Sequence, residues 1–418
     1  MAEVFTKEIA EDFGEEEMDF ANLKKHIPTL ISLWRGNGKK KGLDRNEIKT
    51  LSASLLKLQR GLTGKRNLVG QSYMSDKNLF GAYLLYYFPI SYLQIQSIIG
   101  SVQNEFEKIA EAKTEKIRIL EIGSGPAPGT TAIIDRIRKL NENAKIEVVL
   151  LDSSKNALEI AKKVIQTDFE NVSVETHVTD LENEKILSKI GSGFSVILLS
   201  HVLNELWKNN GDKIPLRLEF LSKAKNLLNS ENASKNALLI LNEPALLESS
   251  RNLMKVRDAI LKSEDFSNLD LISPCPHSLS KSCPALSSEN QTCHAENFFD
   301  PIEPIKSLAH GAGLDRESVK MCFFVFKTDN KNAQSDDKNT SLTVVSEGML
   351  NKSGRIRFML CDGEKRFSLS AKKDDAHAKE IGFFKLHRYE KIRIENPEIR
   401  QDNLGVKDDT KIHINFQH

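Results

Sequence analysis

The sequence predicts an α/β protein: a doubly wound, mainly parallel sheet with a helical region before it and a small β-domain after it. Three observations predict this. An apolar run, Ile117 to Ile122, enters a turn holding Gly123, Gly125 and Gly129, and helical spacing (Ile133, Ile134, Ile137, Leu140) follows at once. Strand-like and helix-like stretches then alternate from 116 to about 328, as parallel β-α-β units do. Beyond a polar stretch, Thr328 to Thr340, the pattern changes to short strands around Leu342–Val345, Arg355–Leu360, Arg366–Leu369 and Lys391–Ile394, with an Asp362-Gly363 turn.

The expected division is a flexible acidic N-terminus (1–20), a helical region (21–112), the α/β domain (113–328) with a cysteine-rich insertion (273–294), a polar linker (329–340) and a β-rich domain (341–418), of which a barrel is one form. Hydrophobic residues make up 39% and charged residues 28%, the balance of a soluble globular protein. A net charge of +1 gives no global sign of a polyanion partner, so any nucleic-acid surface must be a local patch, and DNA is not an expected partner. No apolar run reaches membrane-spanning length, so no membrane partner is expected. Neither a secretory signal nor an Arg-rich leader is visible, and five cysteines in this length do not suggest a secreted framework. A cytoplasmic setting is expected.

In the helical region, Leu51, Leu55, Leu56 and Leu58 precede a Gly61-Leu-Thr-Gly64 turn, and Leu93, Ile95, Ile98, Ile99, Val102, Phe106 and Ile109 mark a later apolar face. Pro89 is expected to separate that helix from the aromatic cluster Tyr83, Tyr86, Tyr87 and Phe88, which reads as core, with a place over a cofactor as the alternative. Lys39, Lys40 and Lys41, with Arg35 and Arg45, read as a solvated loop or a phosphate-contacting one.

The glycine turn carries the first chemical inference. Its spacing is G-x-G-x-x-x-G, not the G-x-G-x-x-G of a dinucleotide site, and Glu121 stands just before it. A carboxylate there would repel a pyrophosphate but suits the ammonium and sulfonium of S-adenosylmethionine. The expected fold is therefore the class I S-adenosylmethionine-dependent methyltransferase fold, with Glu121, Gly123, Gly125 and Gly129 at the donor. Asp152, ending the second strand (Ile146–Leu151), is placed to hold ribose hydroxyls; capping the next helix through Ser153 is the other reading. Asp180, after the third strand (Val172–Val178), is assigned to the adenine side by position alone.

The fourth strand (Phe194–Leu199) opens onto Ser200-His-Val-Leu-Asn-Glu-Leu206, and the fifth (Ala237–Leu241) onto Asn242-Glu-Pro244. His201, Asn204, Glu205 and Glu243 stand where a general base would lie, yet His201 and Glu205 could equally cap or orient the next helix. There is no Asn/Asp-Pro-Pro-aromatic group for an amine and no cysteine nucleophile after strand four or five. The loop says what is bound more firmly than what is done.

Cys275, Cys283 and Cys293 fall in one loop rich in proline, as Pro-Cys-Pro, Cys-Pro and Cys-His. Three thiolates ask for a fourth ligand and a soft metal. The candidates are Cys361, Cys322, His277 and His294. Cys322 lies in the apolar strand Met321–Phe326 and reads as a core thiol; Cys361 stands at a hairpin end and is preferred. Four cysteines suit an iron–sulfur cluster or a structural zinc, and a ligand from beyond the linker would fasten the β-domain to the α/β domain. Lys372, Lys373, Lys385, His387, Arg388 and Lys391 fit a nucleic-acid surface or an ordinary one.

Over most of residues 60–395 the chain resembles the Rsm22-like, methyltransferase-like assembly proteins of the small ribosomal subunit in bacteria and mitochondria. The resemblance rests on Gly61-Leu-Thr with Arg66 and Tyr73, the loop 121–129, Ser200 to Leu206, Asn242-Glu-Pro with Arg251, and above all Pro274-Cys-Pro-His, Cys283-Pro, Cys293-His and Cys361-Asp-Gly. It implies a [4Fe–4S] cluster on Cys275, Cys283, Cys293 and Cys361, with zinc as the alternative metal, dependence on S-adenosylmethionine, and the small ribosomal subunit and its rRNA as partners. The chain departs from the family's Gly-Pro-Gly turn at Ala127-Pro128, and has Gln291-Thr292 where an aromatic residue commonly precedes the third cysteine. Three functions are consistent with this: an rRNA methyltransferase, a non-catalytic assembly factor using donor and cluster structurally, and a small-molecule methyltransferase with a zinc-stapled tail.

Overall fold

The computed structural model describes residues 20–36, 42–61, 76–111, 116–228, 236–276, 282–314, 317–328 and 341–414. The expectations for the acidic start, for Lys39, Lys40 and Lys41, for Leu62 to Gly64 with Arg66 and Tyr73, for His277 and for the linker 329–340 lie outside the described residues.

The N-terminal region is helical: α1 (Phe20–Arg35), α2 (Arg45–Gln59), α3 (Lys77–Ala82), α4 (Phe88–Gly100) and α5 (Gln103–Ala110). Asp44 starts α2 with a capping box, accepting from Asn46 N and Glu47 N while Glu47 reaches back to Asp44 N. Pro89 does not break the chain as expected. The residues before it, Tyr83–Tyr87, form one turn of π-helix that runs straight into α4. Proline falls in the first turn of α4, where its missing N–H and fixed φ are tolerated.

Eight strands follow: β1 (Ile117–Ile122), β2 (Ile146–Asp152), β3 (Val172–Val178), β4 (Val196–Ser200), β5 (Leu238–Pro244), β6 (Leu269–Ser273), β7 (Ala295–Phe298) and β8 (Ser318–Thr328). They pair in the order β3-β2-β1-β4-β5-β8-β6, with β7 also on β8. Strands β3 to β5 along that order are parallel, while β8 runs antiparallel to β5, β6 and β7. The chain winds outward from β1 to β3, then returns to β4 and β5 on the other side. The reversal opens a crevice at the carboxyl ends of β1 and β4, where such folds take ligands. This is the doubly wound, mainly parallel sheet that the sequence predicts. β5 extends past the expected Leu241 because Asn242, Glu243 and Pro244 pair with Phe323, Cys322 and Met321 of β8.

Alternate residues of each strand face opposite layers. Ile117 and Ile119 pack with α1, α4, α6 (Pro128–Leu140) and α7 (Lys155–Asp168); Leu120 and Ile122 pack on the other face with α8 (Lys213–Lys225) and α9 (Leu247–Lys262). The N-terminal helices thus share one core with the sheet. Fully buried Tyr86 and Phe88 belong to it, as expected of the aromatic cluster.

The C-terminal strands are β9 (Leu342–Val344), β10 (Met349–Leu350), β11 (Arg355–Cys361), β12 (Arg366–Lys372), β13 (Lys391–Glu395), β14 (Glu398–Arg400), β15 (Asn403–Gly405) and β16 (Lys411–Ile414). Their order is β14-β15-β12-β11-β9-β13-β16, with β10 on β11. Among the described residues nothing pairs β14 with β16, so the sheet is open rather than a barrel. Its own small core holds Phe358, Leu360, Leu369 and Phe383.

Candidate functional site

The glycine loop is tied down at the crevice by backbone bonds: Gly123 N and Ser124 N both donate to Leu151 O, at 2.8 and 3.0 Å. Gly123 has φ +71°, and a Cβ there would stand 2.4 Å from Val202 Cγ2 beyond β4. Gly129 is required for a different reason. A Cβ there would stand 2.3 Å from Leu198 Cδ2 and 2.7 Å from Glu121 Oε1. Ala127 holds the left-handed position at the start of α6 (φ 61°, ψ 48°), a conformation glycine adopts at less cost.

Glu121 does not stand open to the crevice. It is 1% exposed, and its Oε2 accepts from Thr130 N (2.9 Å) and Thr130 Oγ1 (2.6 Å) in the first turn of α6. Burial pushes its carboxyl up to about 7, against the lowering effect of those two bonds. It braces the helix start by satisfying an orphan N–H. Asp152 is divided between two roles: Oδ2 accepts from Gly125 N at 2.8 Å and Oδ1 from Ser154 N at 2.7 Å. The helix cap itself is Ser154, which accepts from Ala157 N. Asp180 is exposed after β3, and its Oδ1 accepts from Glu182 N at 3.0 Å.

Tyr83 is what the helical region adds to this loop. A Cβ on Gly125 would lie 3.8 Å from its hydroxyl, and the ring stacks on Tyr87 at 5.7 Å. Its phenol is held well above the ordinary range, first by burial and then by the nearby charges of Asp152, Glu205 and Glu121. The aromatic cluster therefore splits between core and crevice. No sequence signal marks that split, because the π-turn shifts which residues share a face.

At the mouths of β4 and β5 the polar groups face one another. His201, in the left-handed region (φ 60°), donates its N–H to Asn242 O at 2.8 Å. Burial holds its imidazole down at about 4, so it is neutral at pH 7. Asn242 Nδ2 donates to Ser200 Oγ at 3.0 Å, while Asn242 Oδ1 is buried without a hydrogen-bond partner. Asn204 donates to Glu243 from N (3.1 Å) and from Nδ2. Burial raises the Glu243 carboxyl to about 8, against the lowering effect of those Asn204 bonds. Glu205 lies near enough for its charge to act on both Tyr83 and Glu243.

Cys275, Cys283, Cys293 and Cys361 line one cavity, with Pro274, Pro276, Pro284, Phe324 and Tyr389 among its other walls. Cys361 arrives from the end of β11, in the C-terminal sheet. Burial pushes the thiols of Cys275, Cys283 and Cys361 up, Cys283 to about 12. The sulfurs line the walls without converging: among the described residues no set of three His, Cys, Asp or Glu side chains is drawn into a coordinating group. The donor set has the soft chemistry an iron–sulfur or zinc centre needs. Cys322 is buried in β8, with its Sγ 3.9 Å from Ser250 O, as expected of a core thiol.

The sequence names Arg251 and Lys391 but not the contacts they make at this cavity, and it marks no role here for Tyr389, Thr343 and Arg366. Arg251 Nη1 donates to Ala285 O, Ser288 O and Gln291 O, at 3.4, 2.6 and 3.0 Å, and so shapes the chain between Cys283 and Cys293. Tyr389 donates its hydroxyl to Cys293 Sγ at 3.3 Å and packs edge-on to Phe323 at 5.4 Å. Thr343 donates to Pro274 O, Arg366 to Thr292 O and Lys391 to Ile272 O. The C-terminal sheet is fastened to the α/β domain here. Of the basic residues expected on a nucleic-acid face, Lys391 and Arg388 turn inward, Arg388 to Val345 O and Glu347, while Lys372, Lys373, Lys385 and His387 are exposed.

Among the described residues, no helix is long and apolar enough to cross a membrane. No curated protein matches the chain. Among solved structures, it is similar to the plantazolicin methyltransferase BpumL in complex with a monoazolic desmethylPZN analog and SAH (13% identity, 68% of this chain and 99% of that one, TM-score 0.32). It is also similar to the CurJ carbon methyltransferase (17%, 67% and 68%, TM-score 0.36). A third is the precorrin-6y C5,15-methyltransferase of Geobacter metallireducens (12%, 54% and 87%, TM-score 0.29). At these values the likenesses add nothing to the strand order, which carries the fold by itself. A family model described as mitochondrial small ribosomal subunit Rsm22 matches residues 78–379.

Proposed function

We propose a function from one premise: this chain belongs to the Rsm22 family. It is a methyltransferase-like factor of small ribosomal subunit assembly. In this reading it binds S-adenosylmethionine at the β1–β4 crevice, carries a metal centre on Cys275, Cys283, Cys293 and Cys361, and docks on the small subunit through its rRNA. The observation that carries the reading is the span of the family match, because residues 78–379 take in the glycine loop and all four cysteines.

Bound S-adenosylmethionine supplies a methyl group on a sulfonium cation. The chain's part is to hold it. Gly123 and Gly125 keep the backbone close, and the Asp152 carboxylate, already accepting backbone N–H groups of Gly125, Ser153 and Ser154, keeps lone-pair capacity for a ribose hydroxyl. Asp180 borders the adenine side. Asp152, Glu205 and the Tyr83 ring give the crevice acidic and aromatic walls suited to a cation. Glu121 supports the site from behind, through α6. The four cysteines, as thiolates, would hold a [4Fe–4S] cluster or zinc, and closing that centre would lock the C-terminal sheet in place.

Methyl transfer to rRNA is the second reading, and Asn242 favours it. Its Oδ1 is buried and unpaired, while its Nδ2 lies 3.4 Å from Nε2 of neutral His201 at the β4–β5 mouth, so the amide oxygen is left for an acceptor's N–H. DNA and membranes are not partners in either reading. The compartment is the one where small subunits mature: the cytoplasm for a bacterial chain, the mitochondrion of the family's description for an organellar one.

The test is to purify the chain anaerobically and titrate it with S-adenosylmethionine by calorimetry, then supply labelled donor with precursor small subunits. Saturable binding that Gly123→Arg abolishes supports the donor site. Wild-type chain that binds no donor overturns it. Label in the rRNA selects the second reading over a purely structural role.

A further inference from the structure

The walls of the cysteine cavity carry more positive charge than their neighbours answer. Arg257 is 1% exposed and lines the cavity. Its ionic partner is Asp258, Nη1 to Oδ1 at 2.7 Å, but both oxygens of that carboxylate also accept Cys283 N–H at 3.0 Å. Arg257 Nε is buried with no hydrogen-bond partner. Arg366, at the start of β12, also lines the cavity and repeats the pattern: Nη2 donates to Thr292 O at 3.1 Å, and its buried Nε has no partner. Lys391 brings a third cation close to Cys275 while donating to Ile272 O. The other nearby carboxylate, Asp362, is engaged in its own turn, accepting from Glu364 N and Lys365 N.

A buried guanidinium with an unanswered N–H is costly and is retained where something answers it. Neutral thiols do not. A doubly charged metal core on four thiolates does, because two negative charges are left over after the metal is counted.

We propose that Arg257 and Arg366 form a charge-matching wall for an anionic four-thiolate centre in this cavity, and that they favour its more negative, reduced state. The inference rests on the four-cysteine reading above, and its test separates the two. Full-length wild type, Arg257→Gln, Arg257→Lys and Arg366→Gln are purified anaerobically, and their iron, sulfide and zinc contents are measured. Iron–sulfur protein is titrated with dithionite, the centre taking up one electron from the dithionite as it is oxidised to sulfite; zinc protein is timed as it loses metal to a chelator.

The expected result is a midpoint potential more negative in both Gln variants, or metal loss at least tenfold faster, with Arg257→Lys nearer to wild type. Gln variants that load, titrate and release metal as wild type does overturn the charge-matching role while leaving the centre intact. A wild type holding neither iron with sulfide nor zinc overturns the four-cysteine reading, and this one with it. If Arg257→Gln fails to fold, half-buried Arg366→Gln carries the test.

Discussion

Gly123 and Ala127 lie in one loop with the same sign of φ, and they predict opposite responses to substitution. At Gly123 an alanine meets both a left-handed backbone and Val202 Cγ2, 2.4 Å from the new Cβ. Overpacking and left-handed strain together cost about 2–4 kcal/mol, and the displaced loop loses the donor. Gly123→Ala is expected to melt earlier and to show no calorimetric binding of S-adenosylmethionine; wild-type behaviour in both would contradict the loop geometry. At Ala127 the side chain is already in the wrong region, so Ala127→Gly should stabilise by up to about 1 kcal/mol after the entropy of glycine is subtracted. A drop in melting temperature would count against it. The sequence exposes the glycines but not their different reasons. Gly123 answers to a valine beyond β4 and Gly129 to a leucine within it, and neither contact can be read from the loop's own residues.

Among the elements, α1 has the best-defined attachment. His26, fully buried, bonds Asp168 of α7 through Nδ1 at 2.6 Å and Asp135 of α6 through Nε2 at 2.8 Å. Tyr92 of α4 adds a bond to Asp135, and Thr29 one to Asp168. Burial alone would lower the His26 pKa, but the two carboxylates outweigh it and hold it at about 9. A pKa raised on folding stabilises fully below the unfolded value near 6.5, and that stability fades as pH rises through 9. The shift corresponds to about 3 kcal/mol. His26→Gln should therefore cost about that much near pH 6 and progressively less toward pH 10 in denaturant unfolding; a gap that stays constant with pH would contradict the staple. Nothing in the spacing of α1 pairs His26 with carboxylates more than a hundred residues away. The same limit explains β5 and the π-turn. β1 and β2 were legible because their apolar runs are local, whereas the end of β5 is set by β8, which the sequence places far downstream. Arg257 did leave a trace, a charged residue on the apolar stripe of α9 with Leu253, Met254 and Ile260.

For the molecule as a whole, the cysteine cavity is the joint between its two sheets. Tyr389, Thr343, Arg366 and Lys391 cross it, and Cys361 of β11 joins Cys275, Cys283 and Cys293. Position in the sequence and the family resemblance both made this set legible, but only the fold reveals the polar contacts around it. The metal centre proposed at this joint would contribute to folding, so Cys361→Ser should lose that metal and leave the C-terminal sheet more readily cut away from the α/β domain by protease. A variant as metal-loaded and protease-resistant as wild type would contradict the joint. The central claim, that this chain is a donor-binding factor of small-subunit assembly, is tested most directly by sedimentation. Anaerobically purified chain is mixed with precursor small subunits and labelled S-adenosylmethionine and run through a gradient. The account predicts that chain and label travel together with the small subunit, and that Gly123→Arg removes the label. Chain and label left at the top of the gradient, away from the particles, would contradict it.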